Sequence, residues 1–476
     1  MSQVEYVFEE GAEEAAYRDS LATVDASGKR IWIFPKMPKG KFYNKRKLLS
    51  YLLLAVLFGL PWIKVGGEPL VLLNVLERRF ILFGIHFAPQ DFHLFVIGML
   101  IMMLIIVVFT VIFGRLFCGW ICPQTIFMEM VYRRIEYWIE GDAGAQRRLA
   151  KAPWTRDKII KKVSKQAIFF GIAVLIANTF LAYIIGIDEV LKIISEPINE
   201  HWQGFMAMII FSLVFYFVFA SLREQVCTTI CPYGRLQGVL LDKQSLAVYY
   251  DWIRGEPRGR MKKNAPVDEQ PKGDCIDCKL CVHVCPTGID IRNGIQLECV
   301  NCTACMDACD EVMTKIDKPT GLIRLDSYEG IKENKSTIFT TRALAYCGVL
   351  AVLIGLETFL FWSRSEVETL LLRTPGMLYQ EQEDGYISNL YNYQLINKTK
   401  EKYPIELRVT NIDAVVQWVG TPPVTAENDI IEGAVFIKIK AEDLDGRKTE
   451  LKVEVISTET GEKVDDVDTN FLGPVK

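Results

Sequence analysis

Apolar residues fall into runs along the chain, and the runs alternate with strongly polar stretches. A run crosses a bilayer as a helix when it approaches about 20 residues. His93–Phe117, Gln166–Ile187, Phe205–Leu222 and Thr341–Trp362 meet that length or come close to it. Leu48–Ile63 is shorter, but Lys47 and Lys64 can snorkel from its ends and let it cross as a further span. Before it, residues 1–47 form a polar arm ending in the basic cluster Lys39, Lys41, Lys45, Arg46 and Lys47. Residues 64–92 read as a loop whose middle, Leu70–Ile81, lies along the interface, and 118–165 and 223–340 are polar. Beyond about residue 375 the period changes to two. Pro404–Asn411, Val415–Val419, Ala434–Ala441 and Glu450–Ser457 alternate apolar and polar positions and predict strands. Asp445-Gly446 between the last two reads as a hairpin turn. Short strands separated by turn signals predict a β-sandwich. The fold expected is an α-helical membrane protein of about five transmembrane helices with a polar insert and a C-terminal all-β domain.

Composition agrees with spans joined to polar domains. Half the residues are hydrophobic and mean hydropathy is +0.18, although 24% are charged. The net charge of −4 selects no partner, and no nucleic-acid partner is expected. The acidic first 25 residues lack the apolar core of a secretory signal. C-x-x-C-H does not occur and there are 4 histidines, which argues against covalent or multiple haems. Loop charge sets an orientation. Ten Lys/Arg lie in 118–165, one in 188–204 and three in 64–92. Positive loops stay in the cytoplasm, so the N-terminus, the 118–165 loop and the 223–340 segment are expected inside and the C-terminal domain outside. Cysteine usage points the same way, since none of the 13 follows Cys347. The C-terminal hundred residues carry 19 Asp/Glu against 11 Lys/Arg, a charge that serves solubility or a docking surface.

Eight cysteines lie between Cys275 and Cys309, in two runs of C-x2-C-x2-C-x3-C separated by 13 residues. Zinc sites use cysteine pairs and disulfide frameworks do not repeat one spacing, whereas this spacing is that of two-cluster ferredoxins. Three cysteines of each run hold one [4Fe–4S] cluster, and the fourth crosses to the other. Cys275, Cys278, Cys281 and Cys309 are therefore expected on one cluster, and Cys299, Cys302, Cys305 and Cys285 on the second. Pro286 follows the first run, and Asp310 stands where the second proline would be. His283, between ligands, is a candidate for tuning the cluster potential.

A second constellation repeats at the membrane edge. Cys118-Gly-Trp-Ile-Cys122-Pro123 follows one span and Cys227-Thr-Thr-Ile-Cys231-Pro232 another, each preceded by an arginine, Arg115 or Arg223. The units read as an internal duplication that brings four sulfurs together. On a helix, cysteines at i and i+4 share a face, and the nearby arginines favour thiolates, though anchoring at the membrane edge explains them as well. A soft-metal site such as Cu(I), a further iron–sulfur cluster and a redox-active dithiol all fit, and small residues for close helix packing are the structural alternative. Met99, Met102, Met103, Met206 and Met208 lie in spans and are candidate Cu(I) ligands, although lipid-facing or packing methionine is the commoner role. His86 and His93 sit at the outer edge, where a quinone or metal could reach them, and Cys347 is a lone packing residue within the last span.

In this motif order the chain resembles the FixG/CcoG (RdxA) family of cytochrome c oxidase accessory proteins, over nearly its whole length. The resemblance implies a multi-pass bacterial inner-membrane protein with cytoplasmic clusters and a periplasmic immunoglobulin-like sandwich. It implies an oxidoreductase, a cupric reductase serving assembly of a cbb-type oxidase, with oxidase subunits or copper chaperones as partners and an unknown electron donor. Cys118, Cys122, Cys227 and Cys231 would be its catalytic and copper-binding residues. The first half is also similar to quinol-dehydrogenase-like subunits of the NapH and NosR type, which implies quinol oxidation instead. A non-catalytic assembly scaffold is the third expectation. The expected divisions are 1–47 (arm), 48–240 (four-helix membrane region), 241–340 (ferredoxin-like domain), 341–363 (fifth span) and 377–476 (sandwich).

Overall fold

The computed structural model describes residues 23–24, 27, 29–75, 79–83, 85–87, 91–260, 273–333, 340–363, 367–376, 378–382, 385–397, 402–425, 430–444 and 446–474. It divides into two compact units, residues 1–63 with 99–354 and residues 64–98 with 355–476.

Among the described residues, four helices are long and apolar enough to cross a membrane: Phe92–Phe113, Arg156–Ile185, Trp202–Leu222 and Thr341–Trp362. The Leu48–Ile63 run, expected as a further span, is not among these four. The remaining helix, Lys41–Gly59, begins inside the basic cluster. Its apolar part, from Leu48, is about 12 residues or ~18 Å long, well short of the ~30 Å hydrocarbon core. Its N-terminus is capped from far along the chain. The Asp307 carboxylate accepts from the backbone N–H groups of Phe42 (3.1 Å) and Tyr43 (2.7 Å), which places an anion where the helix dipole is positive. Gly40 permits this approach, because a Cβ there would lie 2.2 Å from Asp307 Cγ.

In the first unit, the segment after Cys122 packs on the Arg156–Ile185 and Trp202–Leu222 helices through Phe127, Met128, Tyr132, Phe169, Ile176 and Phe219. The Tyr132 ring stacks on Phe219 at 4.7 Å and meets Phe169 edge-on. The polar insert is built from an antiparallel pair, Ala247–Tyr250 with Ile323–Asp326, and two helices, Leu280–Val284 and Ala304–Lys315. Val248, Tyr250, Ile289, Ile291, Met306, Met313 and Leu322 form its core together with Cys275 and Cys281.

In the second unit, the stretch read as an interfacial loop instead folds into three antiparallel strands, Val71–Asn74, Arg79–Leu82 and Ile85–Phe87. The C-terminal domain is a two-sheet sandwich. One sheet runs Ala414–Trp418, Ile430–Lys440, Tyr386–Asn397, Val367–Arg373, with the short Gln380–Glu381 beside Tyr386–Asn397. The other runs Val424–Thr425, Tyr403–Val409, Lys448–Ser457, Lys463–Leu472. Alternation sets which side chains face inward: Leu451, Val453 and Val455 meet Leu395, Val435, Ile437 and Ile439 in one core. Ile430–Lys440 and Lys448–Ser457 lie in different sheets, so the connection holding Gly446 passes between sheets and is not the hairpin expected. Asp445 itself lies outside the described residues. The first sandwich strand starts at Val367, ahead of residue 377.

Candidate metal centre

Each ferredoxin-like run wraps a cavity. Cys275, Cys278, Cys281 and Cys309 line one, walled by Tyr250, Ile276, Met313 and Ile323. Cys285, Cys299, Cys302 and Cys305 line the other, with Cys281 on the shared side. The wrapping is written into the backbone. Asp277 and Lys279 in the first run, and Asn301 and Thr303 at the same offsets in the second, are left-handed, with φ of 49°, 56°, 51° and 63°. Side-chain-bearing residues pay about 1–2 kcal/mol for this conformation, and a β-branched threonine is a clear outlier. The same strain at equivalent positions of both runs is what a chain folded closely around a cubane needs. Burial pushes the thiols of Cys281 and Cys299 up to about 12 and that of Cys302 to about 11. Soft thiolate sets of four around dry cavities fit [4Fe–4S] clusters, which would displace these protons and supply one-electron storage.

The twin membrane-edge motifs adopt one conformation twice. Leu116–Trp120 is a short helix holding Cys118, and Val226–Ile230 is a π-helical turn holding Cys227. The second cysteine of each pair has left the helix, with φ, ψ of −58°, 124° at Cys122 and −67°, 114° at Cys231. Its N–H still closes a bond five residues back, Cys122 to the Phe117 carbonyl (3.0 Å) and Cys231 to the Val226 carbonyl (2.7 Å). Pro123 and Pro232 then start new helices, a position where a missing N–H costs nothing. The cysteines therefore do not sit at i and i+4 of one helix as expected; the proline ends the turn first.

The duplicated units do face each other. Cys118, Cys122 and Cys227 each feel the charge of others in the set. Thr125, after Cys122, neighbours both Cys122 and Cys227. The Gln237 amide, from the second unit, donates to Cys118 Sγ at 3.2 Å. Among the described residues, the one group of three or more His, Cys, Asp or Glu ligand atoms within 4.8 Å of one another is Glu196, Glu200 and His201. Burial pushes Cys118 up to about 11 and Cys227 to about 12. For Cys118, Arg115 and Gln237 favour the thiolate, and burial outweighs them.

Those arginines hold backbone instead. Arg115 donates to the Gly234 carbonyl (3.1 Å), just after Cys231, to the Leu297 carbonyl and, at 3.4 Å, to that of Cys299. Arg223 clamps Glu136 of the first unit with bonds of 3.0 and 2.6 Å. The contact to the cluster loop is closest at Gly119, between Cys118 and Cys122. A Cβ there would sit 2.3 Å from the Val300 carbonyl oxygen and 2.9 Å from Asn301 backbone. Arg46, 1% exposed, donates to the Gly119 carbonyl at 2.6 Å and its charge reaches Cys302. Thus the cavity of Cys285, Cys299, Cys302 and Cys305 adjoins the membrane-edge pairs. The other cavity carries the exposed Cys278.

Several partners were not visible in sequence. Glu129, Arg133, Glu136, Glu140, Lys165 and Glu224 form a network of ion pairs in which Arg133 also donates to the Pro286 carbonyl (3.1 Å). The polar arm is part of it: Arg30 pairs with Glu224 at 3.0 Å, and Lys36 N–H donates to the His283 carbonyl at 2.7 Å. A charge pattern of acidic and basic residues four apart in 129–140 was the available signal. The weaker candidates fall away from the centre. The His283 side chain is exposed, as are Met99, Met102 and Met103, whereas Met208 packs against Leu181 and Val190. Met206 and Cys347 are half-buried in their helices and His93 is exposed beside Glu357; the His86 side chain lies outside what is described.

Comparison with known proteins agrees with this architecture. Residues 222–328 match a 4Fe-4S dicluster domain, residues 95–144 a 4Fe-4S binding domain, and residues 358–474 the IG-like fold at the C-terminus of FixG. All eight run cysteines, with Cys227 and Cys231, fall in the first match, and Cys118 and Cys122 fall in the second. The Nitrogen fixation protein FixG of Rhizobium meliloti is 33% identical over 82% of this chain and 82% of its own length. Protein RdxB of Cereibacter sphaeroides is 33% identical over 94% and 97%, and Protein RdxA of the same organism 34% over 80% and 82%. With paired cysteine cavities, apolar helices and an immunoglobulin-like sandwich in one chain, this protein belongs to the FixG/RdxA family of membrane iron–sulfur electron-transfer proteins.

Proposed function

We propose that this protein reduces Cu(II) to Cu(I) at the membrane edge, for assembly of a cbb-type cytochrome c oxidase. Cys275, Cys278, Cys281 and Cys309 would hold one [4Fe–4S] cluster and Cys285, Cys299, Cys302 and Cys305 the second. Cys118, Cys122, Cys227 and Cys231 receive the copper as substrate. The observation that carries the reading is the seating of Gly119 against Val300 and Asn301. It joins the loop of one cysteine cavity to the turn between Cys118 and Cys122, so reducing equivalents and copper meet within one packed element.

Thiolates prefer Cu(I) to Cu(II), so reduction and capture reinforce each other at such a site. The clusters and the polar loops are placed in the cytoplasm by the positive-inside bias, the sandwich in the periplasm, and oxidase subunits or copper chaperones are the receivers.

The test is anaerobic. The purified protein is assayed for iron, reduced, mixed with Cu(II), and followed for cluster reoxidation and Cu(I) formation, alongside a variant with serine at residues 118, 122, 227 and 231. Stoichiometric Cu(I), lost in the variant, is the expected result. Reoxidation indifferent to those cysteines would overturn the assignment. Iron beyond two clusters, lowered in the variant, would assign the four cysteines to a third cluster instead.

A further inference from the structure

The two cysteine cavities lie in unlike electrostatic surroundings. Beside the one lined by Cys285, Cys299, Cys302 and Cys305, two buried guanidiniums hold the 297–302 loop. Arg46 donates through Nε to the Gly119 carbonyl, and Gly119 seats against the backbone of Val300 and Asn301, between Cys299 and Cys302. Arg115, 4% exposed, donates to the carbonyls of Leu297 and Cys299. Among the described residues, the hydrogen-bond acceptors of both side chains are backbone carbonyls, so neither charge is cancelled by a carboxylate in contact. Two carboxylates stand near. Glu129 is held by Arg133 at 2.9 Å and acts on Cys302 less than Arg46 does, and the charge of Glu298 reaches Arg115.

Beside the cavity of Cys275, Cys278, Cys281 and Cys309 the balance is reversed. Its guanidinium, Arg292, is bound by Asp290 at 2.7 and 2.8 Å and by Asp277 at 2.6 Å, so two carboxylates outweigh one cation. Asp290 is the strongest charge on Cys281, and Asp310 bears on Cys309.

The asymmetry matters because a [4Fe–4S] centre gains one negative charge on reduction, and its potential follows nearby charge and solvent exposure. Cys278 is exposed, whereas none of Cys285, Cys299, Cys302 and Cys305 is. Burial disfavours added charge, so by solvation alone the electron would rest at the exposed centre. A close, uncancelled cation opposes this. At an effective dielectric of about 20, one unit charge shifts such an equilibrium by roughly tenfold.

We infer that Arg46 and Arg115 hold the centre of Cys285, Cys299, Cys302 and Cys305 at the higher reduction potential, so that electrons run toward the membrane-edge cysteines. One electron leaves the exposed centre, which is oxidised, and enters the other, which is reduced; no bond or proton moves. Both arginines are positioning residues that act through charge on the centre. The inference rests on the cluster assignment above and not on what Cys118, Cys122, Cys227 and Cys231 bind.

The test is a potentiometric titration of the iron-loaded, full-length protein followed by electron paramagnetic resonance. Two [4Fe–4S] signals are expected, and the one lost in Cys285→Ala should have the higher midpoint. Arg46→Gln should shift that equilibrium about tenfold, lowering the midpoint by about 59 mV for one electron, and leave the other in place. Arg46→Lys keeps the charge and should titrate like the wild type. Glu129→Gln removes an opposing charge and should raise the same midpoint, a readout that does not require Arg46→Gln to fold. Equal or reversed midpoints in the wild type, a midpoint unmoved by either glutamine variant, or Arg46→Lys titrating like Arg46→Gln overturns the inference. Two signals with unmoved midpoints leave the cluster assignment standing, whereas fewer than two in the wild type overturn both.

Discussion

Gly119 is the residue on which the junction of the two cysteine systems turns. Backbone meets backbone there, with the Val300 oxygen 2.3 Å from the point a Cβ would occupy, so no side chain can rotate away. Gly119→Ala should cost about 1–3 kcal/mol through overpacking. It should also loosen the Cys299 run selectively, and an iron assay is expected to show loss of up to half the metal, with electron paramagnetic resonance retaining the signal of the other cluster. Full iron content at unchanged stability would refute the tight seating. At this scale the sequence was uneven in what it disclosed. The cysteine sets were legible because cubane ligation demands a fixed spacing, whatever surrounds it. Gly119 was not, since a glycine inside C-x3-C looks like any helix-packing residue until its neighbour, 181 positions later at Val300, is known. For Arg115 the sequence showed the direction of its pull on Cys118 but not its bonds to the backbone carbonyls of Gly234, Leu297 and Cys299.

At the scale of elements, the buried ion network joins the segment after Cys122 to the turn before Cys227. Burial by itself would raise the pKa of Glu136, yet Arg223 and Lys165 outweigh it and hold the carboxylate below its ordinary 4.5. A depressed folded pKa contributes stability above the unfolded value, and that contribution is lost as pH falls through the folded value. The thermal midpoint of the wild type should therefore drop on acidification below about pH 4.5, the ordinary carboxylate value. Glu136→Gln should lower the midpoint at pH 7, because it strands Arg223, at a cost of about 3–5 kcal/mol, and should flatten the acid dependence. A variant as stable as the wild type at pH 7 would show that the network is dispensable. Elements with a clean period were read well: the four long helices and the strand Lys448–Ser457 fall where alternation and apolar runs put them. Lys463–Leu472 was missed because Asp465, Asp466 and Asp468, which disfavour strands, sit on an edge strand that uses charge to discourage further pairing. Leu48–Ile63 folds as helix, but within an element that starts earlier, among lysines, and runs on through Leu60–Trp62.

At the scale of the whole molecule, cysteine chemistry and the sandwich are carried by different parts of the chain. No cysteine follows Cys347, and the sandwich has its own core around Tyr391, Val435 and Phe471. Truncation after Trp362 should leave iron content and cluster spectra unchanged, and the fragment 367–474 should unfold cooperatively and indifferently to reductant. Loss of iron on truncation would contradict that independence. The Asp307 cap on the Lys41–Gly59 helix sets the opposite kind of dependence. Its two bonds join residues 264 and 265 positions apart, so a ribosome that has made Tyr43 must add some 264 residues before the cap exists. At ~5–20 residues per second that is about 13–50 s. Arg30 and Lys36 wait likewise for Glu224 and His283. The Lys41–Gly59 helix is thus a clasp that cannot shut until the chain has been made as far as Asp307, within the second cysteine run.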